Sequence, residues 1–351
     1  MEILDLAKEL IEIPSHESEK EVGKVIQEWI KKETDAKVVQ DEVGNIIARR
    51  GVGDKLAFIG HHDVVPPSSS QIKRGRCEVF EEEGRLYGRG SADMKGALAS
   101  MMHAFRDSDP EEGLVFASFI GEEKGGIGAK YAISKGFNPK FVVVGEGSTG
   151  YSNEGVVDIA IAHRGRRESK ITIQGEESHA SQWNQGKNAI YLAAEVIQKI
   201  GRLPMEEVSI EGNKMRGSIS ITGIRGGTAT NINPGRCELV IDERVVPEGN
   251  GMDSIGEEFE WEVTQEIPSF RCRDMSFAQR IVELAGRVTS GSRLIVKPHT
   301  TDAGWFSEKG CICIVCGPAE LGEAHTAKES VDIKSLENCA QIYQMIAEAR
   351  T

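Results

Sequence analysis

The chain is 351 residues long and carries 42 Lys and Arg against 55 Asp and Glu, a net charge of −13. That length holds one oversized domain or two ordinary ones, and the acidic balance argues against nucleic acid or an anionic membrane as a partner, since both attract basic surfaces. No apolar stretch approaches the about 20 residues that span a bilayer, and Met1-Glu2-Ile3-Leu4-Asp5-Leu6 lacks the basic start and apolar block of a signal peptide, so a cytoplasmic location is expected.

Residues 1–12 and 19–33 have the spacing of amphipathic helices. In the second, Val22, Val25, Ile26, Trp29 and Ile30 share a face and Ser18 is the expected N-cap. Strands at 37–50 and 56–65 follow, then a helix over 92–106, a strand at 114–120, a short helix near 126–135 and a strand at 141–145. This alternation predicts an α/β domain with a mostly parallel sheet. After about residue 165 the rhythm changes to a half-exposed strand at 168–174, a helix at 188–200, and strands at 217–224, 236–246 and 258–265. That segment reads as a small antiparallel α+β module. The first rhythm then resumes with helix 275–288, strand 292–297, a Cys-rich strand at 311–316 and helix 332–349. One domain, 1–165 and 268–351, is therefore expected to be interrupted by another, 166–267. The seven Cys are embedded in apolar stretches and read as reduced core thiols, Cys311, Cys313 and Cys316 included.

Four of the apolar runs lead into potential metal ligands. Leu56-Ala57-Phe58-Ile59-Gly60 runs into His61-His62-Asp63, and 114–120 runs through Gly121 into Glu122-Glu123. Residues 141–144 run through Gly145 into Glu146, and 311–316 are followed by His325. Short apolar runs bounded by Gly read as buried parallel strands, and ligands of such sheets collect beyond the strands' carboxyl ends. Two His with several carboxylates is the ligand chemistry of zinc or a similar first-row metal. The pattern is that of a metallohydrolase.

Each motif leaves a plainer alternative open. Asp63, two residues from His61, is placed to orient a metal-binding imidazole, or His61 is a solvated strand-end His. His62 points the other way and reads as non-ligating. Asp93, in Gly88-Arg89-Gly90-Ser91-Ala92-Asp93-Met94-Lys95-Gly96, either caps the following helix or bridges two metals. Its Gly spacing fails the dinucleotide fingerprint, and no Walker Lys-Ser/Thr follows. Glu122 and Glu123 are either surface acids or a ligand beside a free general base, because adjacent carboxylates repel unless a cation or proton intervenes.

Together these segments resemble the co-catalytic zinc amidohydrolases and exopeptidases that include succinyl-diaminopimelate desuccinylase, acetylornithine deacetylase and carboxypeptidase G-type enzymes. The resemblance runs nearly end to end with the motifs in family order. It implies one zinc on His61, Asp93 and Glu146 and another on Asp93, Glu123 and His325, two per chain, with Co2+ or Mn2+ as substitutes. It also implies a bridging Asp93 with a cis peptide to Met94, Glu122 as general base, and Asp63 orienting His61. In the inserted module, which the resemblance makes a ferredoxin-like lid or dimerisation domain, Ser178-His179-Ala180-Ser181 is similar to the family's catalytic His motif. Asn231 and Arg244 match residues that hold a substrate carboxylate. Read from the residues alone, His179 is equally a surface His, and Arg244 equally a partner of Asp242 or Glu243. Gly121 stands where the family often has Asp, and Gly147 where it often has Pro. Residues 247–255 are too short and Gly-rich for the family's second lid helix, so the lid is expected to be one helix short, which counts against the homodimer the resemblance implies. The implied reaction is hydrolysis of an N-acyl amino acid by metal-activated water, deprotonated by Glu122. Di- or tripeptide hydrolysis or carboxypeptidase action at the same dinuclear centre is the alternative.

Overall fold

A computed structural model describes residues 2–110, 113–182, 184–255 and 260–349. The chain divides into two compact units, Met1–Ala162 with Phe270–Lys297 and Thr301–Thr351, and His163–Ser269 with Pro298–Thr300.

The first unit is built on a nine-stranded sheet. Its order is Lys37–Gln40, Ile46–Arg50, Leu114–Phe119, Leu56–His61, Phe141–Val144, Ile312–Val315, Ile159–His163 and Phe270–Arg271, with Leu294–Lys297 also paired to Ile159–His163. The strands from Leu114 to Ile312 in that order are mutually parallel, while the flanking pairs of known register are antiparallel. These four are the apolar runs that lead to candidate ligands. Leu56–His61 and Leu114–Phe119 are buried at every position, as a sheet covered on both faces requires. Phe58, Phe116 and Phe119 are completely buried, and each contributes about 1.5–3 kcal/mol relative to an exposed side chain. The helices Lys95–Asp107 and Ile333–Glu348 pack on this sheet, the second capped by Asp332, whose Oδ1 accepts from Ser335 N at 2.7 Å.

Two local expectations need correction. The single strand expected at 37–50 is a hairpin: Asp41 Oδ1 accepts from the N–H groups of Val43, Gly44 and Asn45 at 2.9–3.1 Å, and Gly44 takes φ 115°. An Asx turn there competes successfully with the strand. The helix Lys20–Glu33 begins after Glu19, whose side chain makes no cap, so Ser18 lies outside the N-cap position. The seven Cys are buried and free.

The second unit has a four-stranded antiparallel sheet, ordered Ser218–Gly226, Arg236–Val245, Gly165–Gln174, Glu260–Ile267. Its core joins Ile171, Ile173, Leu239 and Ile241 to Ala193 and Val196 of the helix Ala189–Ile200, which Asn188 caps. A hairpin of Glu207–Ile210 and Asn213–Arg216 was not expected. Its turn, Glu211-Gly212, has φ 49° and 79°, the positive pair that suits a two-residue hairpin turn. Among the described residues, Ala189–Ile200 is the one α-helix of this unit, and Gly251–Ile255 forms only a 3-10 turn. The strand expected at 258–265 is Glu260–Ile267, with residues 258 and 259 outside the described part. No helix among the described residues is long and apolar enough to cross a membrane.

Candidate metal centre

Parallel register brings the strand ends together. Leu56–His61 lies between Leu114–Phe119 and Phe141–Val144, so His61, the Glu122-Glu123 pair and Glu146 emerge side by side. The loop before the helix Lys95–Asp107 adds Asp93, through a cis peptide to Met94. His325 arrives from the loop after Ile312–Val315. It holds φ 62°, a left-handed conformation that costs a residue with a Cβ roughly 1–2 kcal/mol.

Two groups result. Ligand atoms of His61, Glu122 and Glu146 lie within 4.8 Å of one another, and so do those of Asp93, Glu123 and His325. Asp93 reaches both: Oδ1 is 2.9 Å from His61 Nε2 and Oδ2 is 3.1 Å from His325 Nε2. His325 Nε2 also lies 2.8 Å from Glu123 Oε1, and His61 Nε2 lies 3.4 Å from Glu146 Oε1. Behind the centre, Asp63 lies 3.3 Å from His61 Nδ1 and accepts from Glu122 N at 3.0 Å and Glu123 N at 3.1 Å. His61 Nδ1 also lies 3.1 Å from the Asp63 main-chain carbonyl, so Asp63 holds the imidazole with carbonyl and carboxylate together while its carboxylate fixes the turn that carries both glutamates. His62 points away, its Nδ1 2.8 Å from Ser118 Oγ, and burial drops its pKa to about 3.

The electrostatics are those of a crowded acidic site. Burial opposes charge on His61, but its contacts with Asp63, Asp93 and Glu146 outweigh burial and raise its pKa well above the usual value. His325, bonded first to Asp93 and then to Glu123, is pushed up to about 10. Burial lifts Glu122 well above an ordinary carboxyl, with Asp302, Glu146 and Glu123 adding repulsion and His61 opposing. Burial also lifts Glu123. Asp93 is held down because its bonds from His325 and His61 overcome burial. Four carboxylates and two imidazoles so placed need compensating positive charge, and hard oxygen with imidazole nitrogen is a donor set that fits zinc or a similar divalent cation.

Residues 57–349 match the sequence description of peptidase family M20/M25/M40. The chain belongs to that family. As an M20/M25/M40 member it is a hydrolase. The acetylornithine deacetylase of Pectobacterium carotovorum subsp. carotovorum (strain PC1) is 28% identical over 326 residues, 86% of this chain and 82% of that protein. The acetylornithine deacetylase of Myxococcus xanthus is 24% identical over 329 residues, covering 85% and 82%. Among solved structures, aminopeptidase PepT from Bacillus cereus ATCC 10987 matches with a TM-score of 0.79 at 20% identity, over 98% of this chain and 96% of that one. The Bacillus subtilis YXEP protein, described as a dinuclear metal binding peptidase, matches with a TM-score of 0.75 at 18% identity, over 98% and 96%. At these identities the structural likeness is one of fold.

In this M20/M25/M40 hydrolase the departure at Gly147 has a local reason: a Cβ there would fall 2.7 Å from Ala319 O. Three residues around the centre were missed in the sequence. Glu329 is 1% exposed, and its Oε1 accepts from Gly90 N, Ala92 N and Asp93 N at 2.9–3.1 Å while Arg89 pairs with its other oxygen. It shapes the loop that presents Asp93. Asp302 is buried with neither side-chain oxygen hydrogen-bonded among the described residues, and burial raises its pKa to about 7. Lys297 is buried 3.5 Å from Glu146 Oε2. Only Glu329 had a signal, four positions after His325 in a quoted motif, and nothing local linked it to Asp93.

The remaining candidates belong to the second unit. His179 is exposed, and its Nδ1 lies 2.8 Å from Ser181 Oγ. Its strand Ser178–His179 pairs with Ile232–Asn233, and Ala180 N donates to Asn231 O at 2.8 Å, so Asn231 lies beside the His motif. Arg244 stands in the four-stranded sheet, opposite Arg166 and Ser218, with Nε 2.8 Å from Asp242 Oδ1 and Nη2 3.3 Å from Oδ2. Of the pairings weighed for it, the one with Asp242 is present.

Proposed function

We propose that the chain hydrolyses the amide bond of N-acyl amino acids at a pair of divalent cations, zinc with Co2+ or Mn2+ as substitutes. His61, Asp93 and Glu146 would hold one, and Asp93, Glu123 and His325 the other. The observation that carries the substrate class is the likeness to acetylornithine deacetylases over 82% of their length. A cation bound there supplies Lewis acidity toward the scissile carbonyl and brings water's pKa toward ~7. The protein's own part is proton handling. Glu122, dry and held by Asp63 through its backbone N–H, takes the proton of the attacking water on its carboxylate and returns it to the leaving nitrogen. The burial of Glu122 and its place beside the candidate ligands suit a group that must both accept and give a proton there. Asp63 orients His61. His179 donates toward the developing oxyanion, and Asn231 with Arg244 binds the substrate carboxylate.

The first unit is then the catalytic domain and the second the lid. The lid's edge strand Ser218–Gly226, which exposes Ile224, and its helix Ala189–Ile200, which exposes Tyr191, support homodimerisation through that unit. Kinetics on acetyl, succinyl and formyl amino acids beside di- and tripeptides test the substrate class. Faster turnover of acyl amino acids is expected, and a clear preference for peptides would replace this reading by the peptidase one.

Arg244 makes a sharper test. Asp242 occupies Nε and Nη2, which orients the guanidinium for a planar match to a carboxylate. Arg244→Lys keeps the charge but loses that geometry, so KM for acidic substrates should rise. Replacing the substrate carboxylate by a neutral amide should harm the unaltered enzyme far more than Arg244→Ala. Equal losses in the two proteins would show that the groups do not meet.

A further inference from the structure

Lys297 closes the strand Leu294–Lys297 and is 3% exposed. Burying an ammonium is unfavourable unless a carboxylate answers it. The partner here is Glu146 rather than a structural acid elsewhere. The two oxygens of that carboxylate face different neighbours: Oε1 is 3.4 Å from His61 Nε2, and Oε2 is 3.5 Å from Lys297 Nζ. Among the described residues, Lys297 is the one lysine or arginine ion-paired with Asp93, Glu122, Glu123 or Glu146. The other ion pairs at the centre are between imidazole and carboxylate, with Asp63 as the remaining acid.

We propose that Lys297 is a positioning residue that reserves Oε2 of Glu146, so that Glu146 offers a cation one oxygen rather than two. A free carboxylate binds a cation through one oxygen or both. An ammonium held against one oxygen draws charge from it and fixes the plane of the group, leaving the His61-facing oxygen as the donor. The functional consequence is a ligand position left open on the His61 side of the centre, which catalytic sites need and closed structural sites lack. The inference rests on the reading of Glu146 as a metal ligand.

A zinc-loaded crystal structure of the unaltered chain tests both, and separately. One Glu146 oxygen at about 2.0–2.2 Å from zinc, with the other on Lys297, is the expected result. Both oxygens at bonding distance would overturn the role of Lys297, whereas zinc bound with Glu146 remote would overturn the ligand reading itself. In solution, Lys297→Met loaded with Co2+ should still bind two equivalents but show weaker d–d absorbance per cobalt as Glu146 takes up its second oxygen. Lys297→Arg should restore the unaltered spectrum. A Lys297→Met spectrum identical to that of the unaltered protein at full cobalt loading would contradict the proposal.

Discussion

Glu122→Gln is expected to retain both metals and to lose about 10²–10⁴-fold or more in kcat. At ~1.4 kcal/mol per tenfold, the base is being asked for roughly 3–5 kcal/mol of barrier. Gln keeps the shape of Glu and the backbone N–H that Asp63 Oδ1 accepts at 3.0 Å, so the turn carrying Glu123 should stay in place. What disappears is a proton acceptor buried to 8% exposure beside the candidate ligands. The geometry also supplies the competing outcome. Glu122 lies with His61 and Glu146 within 4.8 Å, close enough to be a ligand in its own right. If Glu122→Gln lost one metal equivalent, the residue would be a ligand, and near-normal turnover with both metals bound would remove it from the chemistry.

The second large effect falls on Asp93. Its two oxygens are divided between the two groups, Oδ1 toward His61 and Oδ2 toward His325. Only a residue so divided belongs to both coordination shells. Asp93→Ala should therefore impair both metals and abolish activity, while His325→Ala and Glu123→Ala should each weaken one site preferentially and leave about one equivalent bound. Titration of the three variants with zinc against a competing chelator would measure this. If all three lost the same single equivalent, Asp93 would not be a bridge.

Legibility from sequence followed burial. The strands around Phe58, Phe116 and Val143 could be read because a strand covered on both faces has no polar alternation, and its end is marked where the first charged residue appears. Their order in the sheet could not be read, since pairing is set by contacts between distant segments. Within 37–50 the apolar pattern continues across Asp41, so the hairpin was hidden by a side chain that bonds three backbone N–H groups of its own turn. Asp93 and His325 were less sharply marked candidates, since neither ends an apolar run directly, and their ligand roles came with the family resemblance. Glu329 and Lys297 were missed for a different reason. Each acts through contacts made in space, Glu329 across 236 positions to Asp93 and to the residues before it and Lys297 across the sheet to Glu146, and such contacts do not mark the local sequence. In the second unit, the 3-10 turn Gly251–Ile255, where a helix would otherwise be expected, was foreseeable from Gly249-Asn250-Gly251, whose residues disfavour a helix.

Metal content coupled to activity is the most direct measurement of all. The protein purified with zinc should carry near two equivalents per chain, lose amide hydrolysis on removal by a chelator, and regain it on adding zinc, cobalt or manganese back to the same sample. Full hydrolytic activity in protein stripped to well below one equivalent would contradict a dinuclear hydrolase built on His61, Asp93, Glu123, Glu146 and His325.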